Sequence, residues 1–536
     1  MTSYIHLFIY EVKGPKNSAS KEYSFNGLKI KNNNDPENSL IIPKEFKKNS
    51  ESNNSQFFSK NIIINTKNEN KEINKSNNIR KNNNIPFLYK IYKTLPARIT
   101  IPKLFSKYYS ITEELKENIY KKIESLFKDN TEIFKSYVKK DIKENNSEII
   151  YKINENPDSK IILIGDNHGS FHSFFRIILR LYVKGIITRG YKLKENYKLI
   201  LLGDIVDRGN YSVELLFILL NLMLKNNDEN NLNVILIRGN HEVRSQFTSN
   251  GFLEEYSNKL NFIQDINKII DNFFKYCPSA IILNHLNTKY WLCHGGFPLD
   301  YVNYNLKNNN LKNNNNIHIN DKNIEMSQIR WNDFNGGVTE CSTKRGAGCG
   351  SIKKNGSKNL IYLYTIGYND LLEFLEKTNI DFIIRGHTDS LSNAMLLIKN
   401  INRTNTPFFY LNDISDVLDY ERSNRESSKN ILDYKHTFTS KMDDEIVTIN
   451  PNKFNKSGVK INNDLELLPV LTISNNCDNG RMLYSDSYLI LSSEKNSNNA
   501  KNAKRNAFIS NINYNKLKGK NNREEYLNNS NKIHTN

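Results

Sequence analysis

Five short segments of this chain combine glycine with carboxylate, imidazole or amide side chains: Gly165-Asp-Asn-His-Gly169, Gly203-Asp-Ile-Val-Asp-Arg-Gly209, Arg238-Gly-Asn-His-Glu242, His294-Gly-Gly296 and Arg385-Gly-His387. Asp166, His168, Asp204, Asn240, His294 and His387 offer oxygen and imidazole donors with no thiolate. Such a set suits Mn, Fe or Zn at a reactive centre better than it suits a structural zinc site. Asp166 and His168 can face one cation, Asp204 can bridge two, and Asn240, His294 and His387 can complete the second. Two divalent metal ions about 3.5–4 Å apart activate water and clamp the attacking and leaving oxygens of an in-line displacement. The expected chemistry is metal-dependent phosphoester hydrolysis. Alone, a Gly-Asp-x-His is also a turn with a capping Asp, and one buried His is more often a core residue. The five segments taken together, each at the end of an apolar run, are what point to a site.

Those apolar runs are the elements that must position the side chains. Ile161–Ile164, Leu199–Leu202, Val234–Ile237, Tyr290–Cys293 and Phe382–Ile384 each stop just before a segment, and Ala280–Leu283 is a further run. Longer amphipathic stretches alternate with them, at Phe171–Val183, Val213–Leu224, Asn261–Tyr276 and Leu371–Lys377. Strands alternating with helices predict an α/β domain with a central buried sheet. In such sheets the carboxyl ends of strands converge on a ligand crevice, and glycine there allows a sharp turn. Ser110–Lys139 has helical spacing, with Ile111, Leu115, Ile119, Ile123 and Phe127 on one face. Leu468–Ser474 and Met482–Leu491 read as two strands returning to the sheet.

Only 38% of the 536 residues are hydrophobic, and Asn/Lys blocks such as Lys31–Asn34, Lys81–Asn84 and Lys307–Asn316 cannot bury enough surface to offset the entropy of ordering. The expected organisation is therefore a mostly disordered low-complexity arm over 1–84, in which residues up to about 12 form a stray strand, and a helical N-terminal extension over 85–150. A catalytic domain over 151–419 carries an Asn-rich insertion at 303–323. A disordered insertion at 420–463, C-terminal strands at 464–492 and a disordered tail at 493–536 follow. The net charge of +18 is spread through the Asn-rich filler and the tail rather than gathered on a stripe, so no nucleic-acid partner is expected. Five scattered cysteines without a CxxC pair fit a reducing compartment. No apolar run is long enough to span a membrane, so the expectation is a soluble cytoplasmic or nuclear protein.

From roughly Lys160 to Thr388, and more weakly to Leu491, the sequence resembles the PPP class of serine/threonine protein phosphatases, within the calcineurin-like metallophosphoesterases. The likeness extends beyond the metal segments to Asn250-Gly-Phe-Leu-Glu-Glu-Tyr256, Tyr276-Cys-Pro-Ser-Ala280, Ile329-Arg-Trp-Asn-Asp333, Arg345-Gly346 and Tyr364-Thr-Ile-Gly367. The resemblance implies a metallophosphoesterase-type central β-sandwich flanked by helices. It implies hydrolysis of phosphoserine and phosphothreonine in proteins by a hydroxide that two metals activate. His241 would protonate the leaving alkoxide, Asp207 would orient His241, and Arg208 and Arg345 would hold phosphate oxygens. It also implies a phosphoprotein substrate and leaves room for a regulatory subunit. Four positions depart from the family pattern: Gly386 replaces Ala, Thr388 and Ser170 each replace Gln, and Asn476 stands where the family places a substrate-facing Tyr. A small-molecule phosphoesterase resembling a dinucleotide tetraphosphatase, and an inactive phosphatase-like scaffold, are the alternatives.

Overall fold

Period-two alternation in a handful of strands accounts for the layering. In Ala280–His285, Ile281 and Leu283 join one apolar core while Ala280 and Ile282 join another. Tyr290 and Leu292 face the first core, and Trp291 and Cys293 face the second. Phe382 and Ile384 likewise oppose Ile383. A sheet whose alternate side chains both find apolar partners must be covered on both faces. One face is covered by a second sheet. The other is covered by the helix Tyr368–Thr378, which contributes Leu371, Phe374 and Leu375 and stacks Phe374 on Phe297.

The computed structural model describes residues 2–11, 116–139, 149–260, 266–299, 316–318, 327–336, 351–353, 360–388, 394–399, 408–411, 432–438, 443–460, 466–475 and 485–493. Most of the expected N-terminal arm, most of 303–323 and the tail from 494 lie outside them. One sheet runs in the order 432–438, 443–449, 4–11, 485–492, 160–164, 197–201 and 234–236. Its last three strands are parallel. The other places 382–385 parallel to both 288–293 and 466–473, and 280–285 parallel to 149–155. Helices Phe171–Val183 and Ser212–Asn226 are buried along most of their length against the first sheet. The helix Lys121–Lys139 packs on Ser212–Asn226 and Ile266–Tyr276, with Phe127 and Phe134 edge-on to Phe273. The fold is thus a mixed α/β sandwich flanked by helices. No helix among the described residues is long and apolar enough to cross a membrane.

The strand expected near the N-terminus is no stray one, and two further stretches read as insertions also carry strands. Tyr4–Glu11 is an interior strand, antiparallel to both Asp443–Ile449 and Ser485–Ser492. Ile5 and Leu7 fill the core, while His6 on the opposite face meets the hydroxyls of Thr448 and Ser492. The interruption of the apolar run by His6 is therefore half of an alternation, not a flaw in it. Within 420–463, Leu432–Phe438 and Asp443–Ile449 pair antiparallel, and Ile446, Val447 and Ile449 are buried. Asn316–His318, inside the Asn-rich stretch, pairs with Ile149–Tyr151. A ladder is made by backbone groups, so polar side chains do not forbid it.

The first residues also tie the two sheets together. The Tyr290 hydroxyl donates to Ser3 Oγ, the Ser3 hydroxyl meets His285 Nδ1 at 2.8 Å, and His285 Nε2 meets the Ser159 carbonyl at 3.0 Å. A neutral ring can make all of these bonds, and burial lowers the His285 pKa below its usual 6.5. Below pH ~6.5 the unfolded chain takes up a proton that the folded chain refuses, so stability falls as the pH falls. Thermal melting between pH 7.5 and 5.5 should show this loss, and His285→Gln should reduce its slope.

Candidate active site

The chemistry-bearing loops all leave the carboxyl ends of parallel strands. Asp166 and His168 follow 160–164; Asp204, Asp207 and Arg208 follow 197–201; Asn240 and His241 follow 234–236. His294 and His387 follow 288–293 and 382–385 of the other sheet. A parallel bridge between Asp166 and Ser474 joins the sheets beside them. The backbone here is strained. His168, Asp204, Asp207, Arg208 and His387 have φ of 42°, 50°, 71°, 62° and 72°, in the left-handed region that non-glycine residues avoid. Such conformations persist where surrounding bonds over-determine them, and they gather at functional sites.

Glu242 supplies much of that restraint, although nothing in the sequence reading assigned it a role. Its buried carboxylate accepts the backbone N–H groups of Asp204 at 2.8 Å, Ile205 at 2.9 Å and Gly239 at 2.9 Å. Successive N–H groups converging on an anion form a nest, which here locks the 203–206 turn to the 239–242 turn. Burial pushes the Glu242 pKa up to about 7, and the negative Asp204 adds to the effect. Glu242→Gln turns an NH2 toward those donors. Hydrogen bonds to a charged group contribute about 1.5–3 kcal/mol, so denaturant titration should show a loss of that order with metal binding weakened alongside.

The donor atoms fall into two groups that share Asp204: His168, Asp204 and His241 in one, and Asp204, His294 and His387 in the other. Asp204 Oδ2 lies 3.3 Å from His168 Nε2 and 3.1 Å from His294 Nε2. Asn240 Oδ1 lies 2.9 Å from His294 Nε2 and 3.0 Å from His387 Nδ1. Backbone carbonyls orient two of the rings, with Leu202 O at 2.8 Å from His294 Nδ1 and Val206 O at 3.2 Å from His168 Nδ1. Each leaves Nε2 turned toward the shared carboxylate, the second-sphere arrangement that fixes a metal-binding tautomer. Asp204 stays well below the usual carboxylate range. Burial alone would raise it, but His294, His241 and His168 together outweigh that effect. This donor set fits a pair of divalent cations. Cys293, next to His294, faces the apolar core behind the site, and burial pushes its thiol up to about 12.

Asp166 also enters this cluster, with Oδ1 3.7 Å from His294 Nδ1. Its carboxylate accepts the His387 backbone N–H through both oxygens, at 3.0 and 2.9 Å. The departure at Gly386 explains how, since a Cβ there would come within 2.2 Å of Asp166 Oδ1. Below His387, Arg385 donates to Asp333 at 3.1 Å and to the Thr388 hydroxyl at 2.9 Å, tying the Trp-Asn-Asp element to this loop.

His241 stands at the edge of the donor groups. Its Nδ1 is 2.8 Å from Asp207 Oδ2, and its Nε2 is 3.2 Å from the guanidinium of the exposed Arg208. Burial opposes a charge on the ring, but Asp204 and Asp207 prevail and raise its pKa above 6.5. Asp207 is itself raised by burial and held by the Phe252 N–H at 3.0 Å. The structure thus brings together every sequence-derived site residue except Arg345, which with Asn476 lies outside the described residues.

A sandwich of two sheets with carboxylate, amide and imidazole donors at five strand ends is the architecture of a metallophosphoesterase. Residues 159–390 match the calcineurin-like phosphoesterase family profile, which makes this segment a calcineurin-like metallophosphoesterase domain. It is 28% identical over 238 residues to the serine/threonine-protein phosphatase 4 catalytic subunit of Kluyveromyces lactis, covering 43% of this chain and 63% of that one. The corresponding Saccharomyces cerevisiae protein is 28% identical over 236 residues, again with 43% and 63% covered. The PP2A-like phosphatase PPG1 of Candida albicans is 38% identical over 138 residues, which is 26% of this chain and 29% of that one. The chain therefore spans less than two thirds of the length of these relatives.

Proposed function

We propose that this chain hydrolyses phosphoserine and phosphothreonine in proteins, with two divalent metal ions held by Asp166, His168, Asp204, Asn240, His294 and His387. When bound, the metals supply an activated water and neutralise phosphate charge. The observation that carries the reading is His241, set between Asp207 and Arg208 at the rim of the donor cluster. Asp207 holds the Nδ1 side of the ring, and the negative Asp204 and Asp207 favour its protonated form against burial and the Arg208 guanidinium, so His241 suits proton donation. Its raised pKa keeps a proton available near neutrality. Asp207 holds Nδ1 and leaves Nε2 to serve the leaving oxygen. Arg208 offers its planar fork to the phosphate, and Arg345 is proposed for the same task. The names of the yeast relatives, catalytic subunits, support a regulatory partner here as well.

The test is a pair of assays on the full chain with Mn2+. Hydrolysis of a phosphoserine peptide in clear preference to diadenosine tetraphosphate, abolished by EDTA, is the expected result. Preference for the dinucleotide would replace the reading with a small-molecule phosphoesterase. Stoichiometric metal without hydrolysis of any phosphomonoester would leave a scaffold.

A further inference from the structure

Behind the turn that carries Asp207 and Arg208 lies a buried charged hub that the reaction itself does not use. The Lys259 side chain is fully enclosed, and its ammonium donates to Glu214 Oε2 at 2.6 Å, Glu255 Oε1 at 2.6 Å and the Asn210 carbonyl at 2.8 Å. An ammonium has three donors, and here all three are engaged. The Tyr211 ring lies 5.1 Å from the same nitrogen. Glu255 also accepts the N–H groups of Ser212 and Val213 at 3.0 and 2.9 Å, anchoring the start of the helix Ser212–Asn226. The Tyr120 hydroxyl, at the head of the N-terminal helical segment, donates to the other oxygen of Glu214 at 2.7 Å.

The position of this hub gives it a use. Asp207 and Arg208 are consecutive left-handed residues, a costly backbone that needs restraint from outside. On the upstream side the restraint is Glu242. On the downstream side, Arg208 N–H reaches the Asn250 carbonyl at 3.2 Å and Gly209 N–H reaches the His168 carbonyl at 2.9 Å. The next carbonyl, of Asn210, is held by Lys259. A lysine enclosed with two carboxylates costs desolvation that an apolar residue would avoid, and what the pairing secures here is the placement of one carbonyl beside the site.

We propose that Lys259 is a positioning residue for phosphate binding: by fixing the Asn210 carbonyl it sets the strained turn that aims Arg208, and through Glu214 and Tyr120 it links that turn to the N-terminal helix. This rests on the reading of Arg208 as a phosphate ligand. Lys259→Met alone would leave two facing carboxylates, so the informative variant is Lys259→Met with Glu214→Gln, which removes one charge of each sign. In the Mn2+-loaded full chain, inorganic phosphate should bind between about tenfold and a hundredfold more weakly, the scale of a misaimed contact. Metal content should stay unchanged. The same double substitution placed on Arg208→Ala should add little, because the group it aims is gone. A purely structural hub predicts losses that multiply in that background, and this result overturns the proposal. If the double variant does not fold, Tyr120→Phe gives the same cycle with a loss of about fivefold. Phosphate binding needs no protein substrate. A chain that fails on phosphopeptides but shows the coupling overturns the phosphatase reading alone, and a chain that binds no phosphate overturns both.

Discussion

His241→Ala is expected to lower turnover of a phosphoserine peptide by about 10²–10⁴-fold, the usual contribution of a positioned general acid, with metal content unchanged. The geometry separates the two outcomes. His241 Nδ1 is committed to Asp207 at 2.8 Å, and Asp204 and Asp207 hold the ring's pKa above 6.5 against burial and Arg208, so the ring is suited to carry a proton. The leaving group supplies a second axis. A serine alkoxide is a poor leaving group and needs its proton in the transition state, whereas p-nitrophenolate departs without one. The loss should therefore be much smaller for p-nitrophenyl phosphate than for the peptide. Asp207→Asn, which keeps the shape but offers Nδ1 the wrong partner, should show the same leaving-group dependence with a smaller loss. Metal analysis and the two assays together decide the matter. Equal losses on both substrates, or a drop in bound metal, would make His241 a ligand and sink the assignment.

The strands that carry the site were legible because each is a short aliphatic run closed by glycine. Ile161–Ile164 and Phe382–Ile384 end within a residue of the observed strands, and the helix Phe171–Val183 has the expected limits. Burial on both faces makes such strands uniformly apolar, a pattern that survives in a single sequence. The strand at Tyr4–Glu11 was legible but its interior place in the sheet was not, and Asp443–Ile449 was not legible at all. Their membership in the sheet is decided by backbone pairing with partners hundreds of residues away, as in the register of Ile5 with Ile449 and Leu491. Their polar alternate positions, among them His6 and Thr448, find each other only after the chain folds.

The same division runs through the site. Side chains whose type announces their chemistry, such as His294 or Asp204, could be named in advance. Groups whose task is to hold others could not. Glu242 gathers N–H groups from a turn almost forty residues upstream, and Lys259 reaches back to Asn210. The one available signal was an acidic residue directly after Gly-Asn-His, and sequence alone gives it no partner. Asp166 shows the converse, a residue singled out by its type whose contact with the His387 loop depends on Gly386 having no Cβ. What a lone residue can do is written in its type; which neighbour constrains it is a property of the fold.

Asp204→Asn should have the largest effect on metal, because this is the carboxylate that both donor groups share. Its Oδ2 lies 3.3 Å from His168 Nε2 and 3.1 Å from His294 Nε2, while Oδ1 accepts the His241 N–H at 2.9 Å. An amide has nearly the same shape but no charge. It cannot bridge two cations, and its NH2 group would oppose the imidazoles or the His241 N–H. Losing an outer-sphere partner costs about 10–100-fold in metal affinity, so losing the shared carboxylate should exceed that and abolish turnover with it. The metal-free protein offers an independent reading. His294 is held up to about 9, against its burial, with Asp204 the largest favourable influence and Asp166 the next. Neutralising Asp204 should let the His294 pKa fall, which NMR titration of the ring can follow without any metal present. Undiminished binding of two metals, with His294 unmoved, would show that Asp204 is not the shared ligand and that the two donor groups are held apart by some other residue.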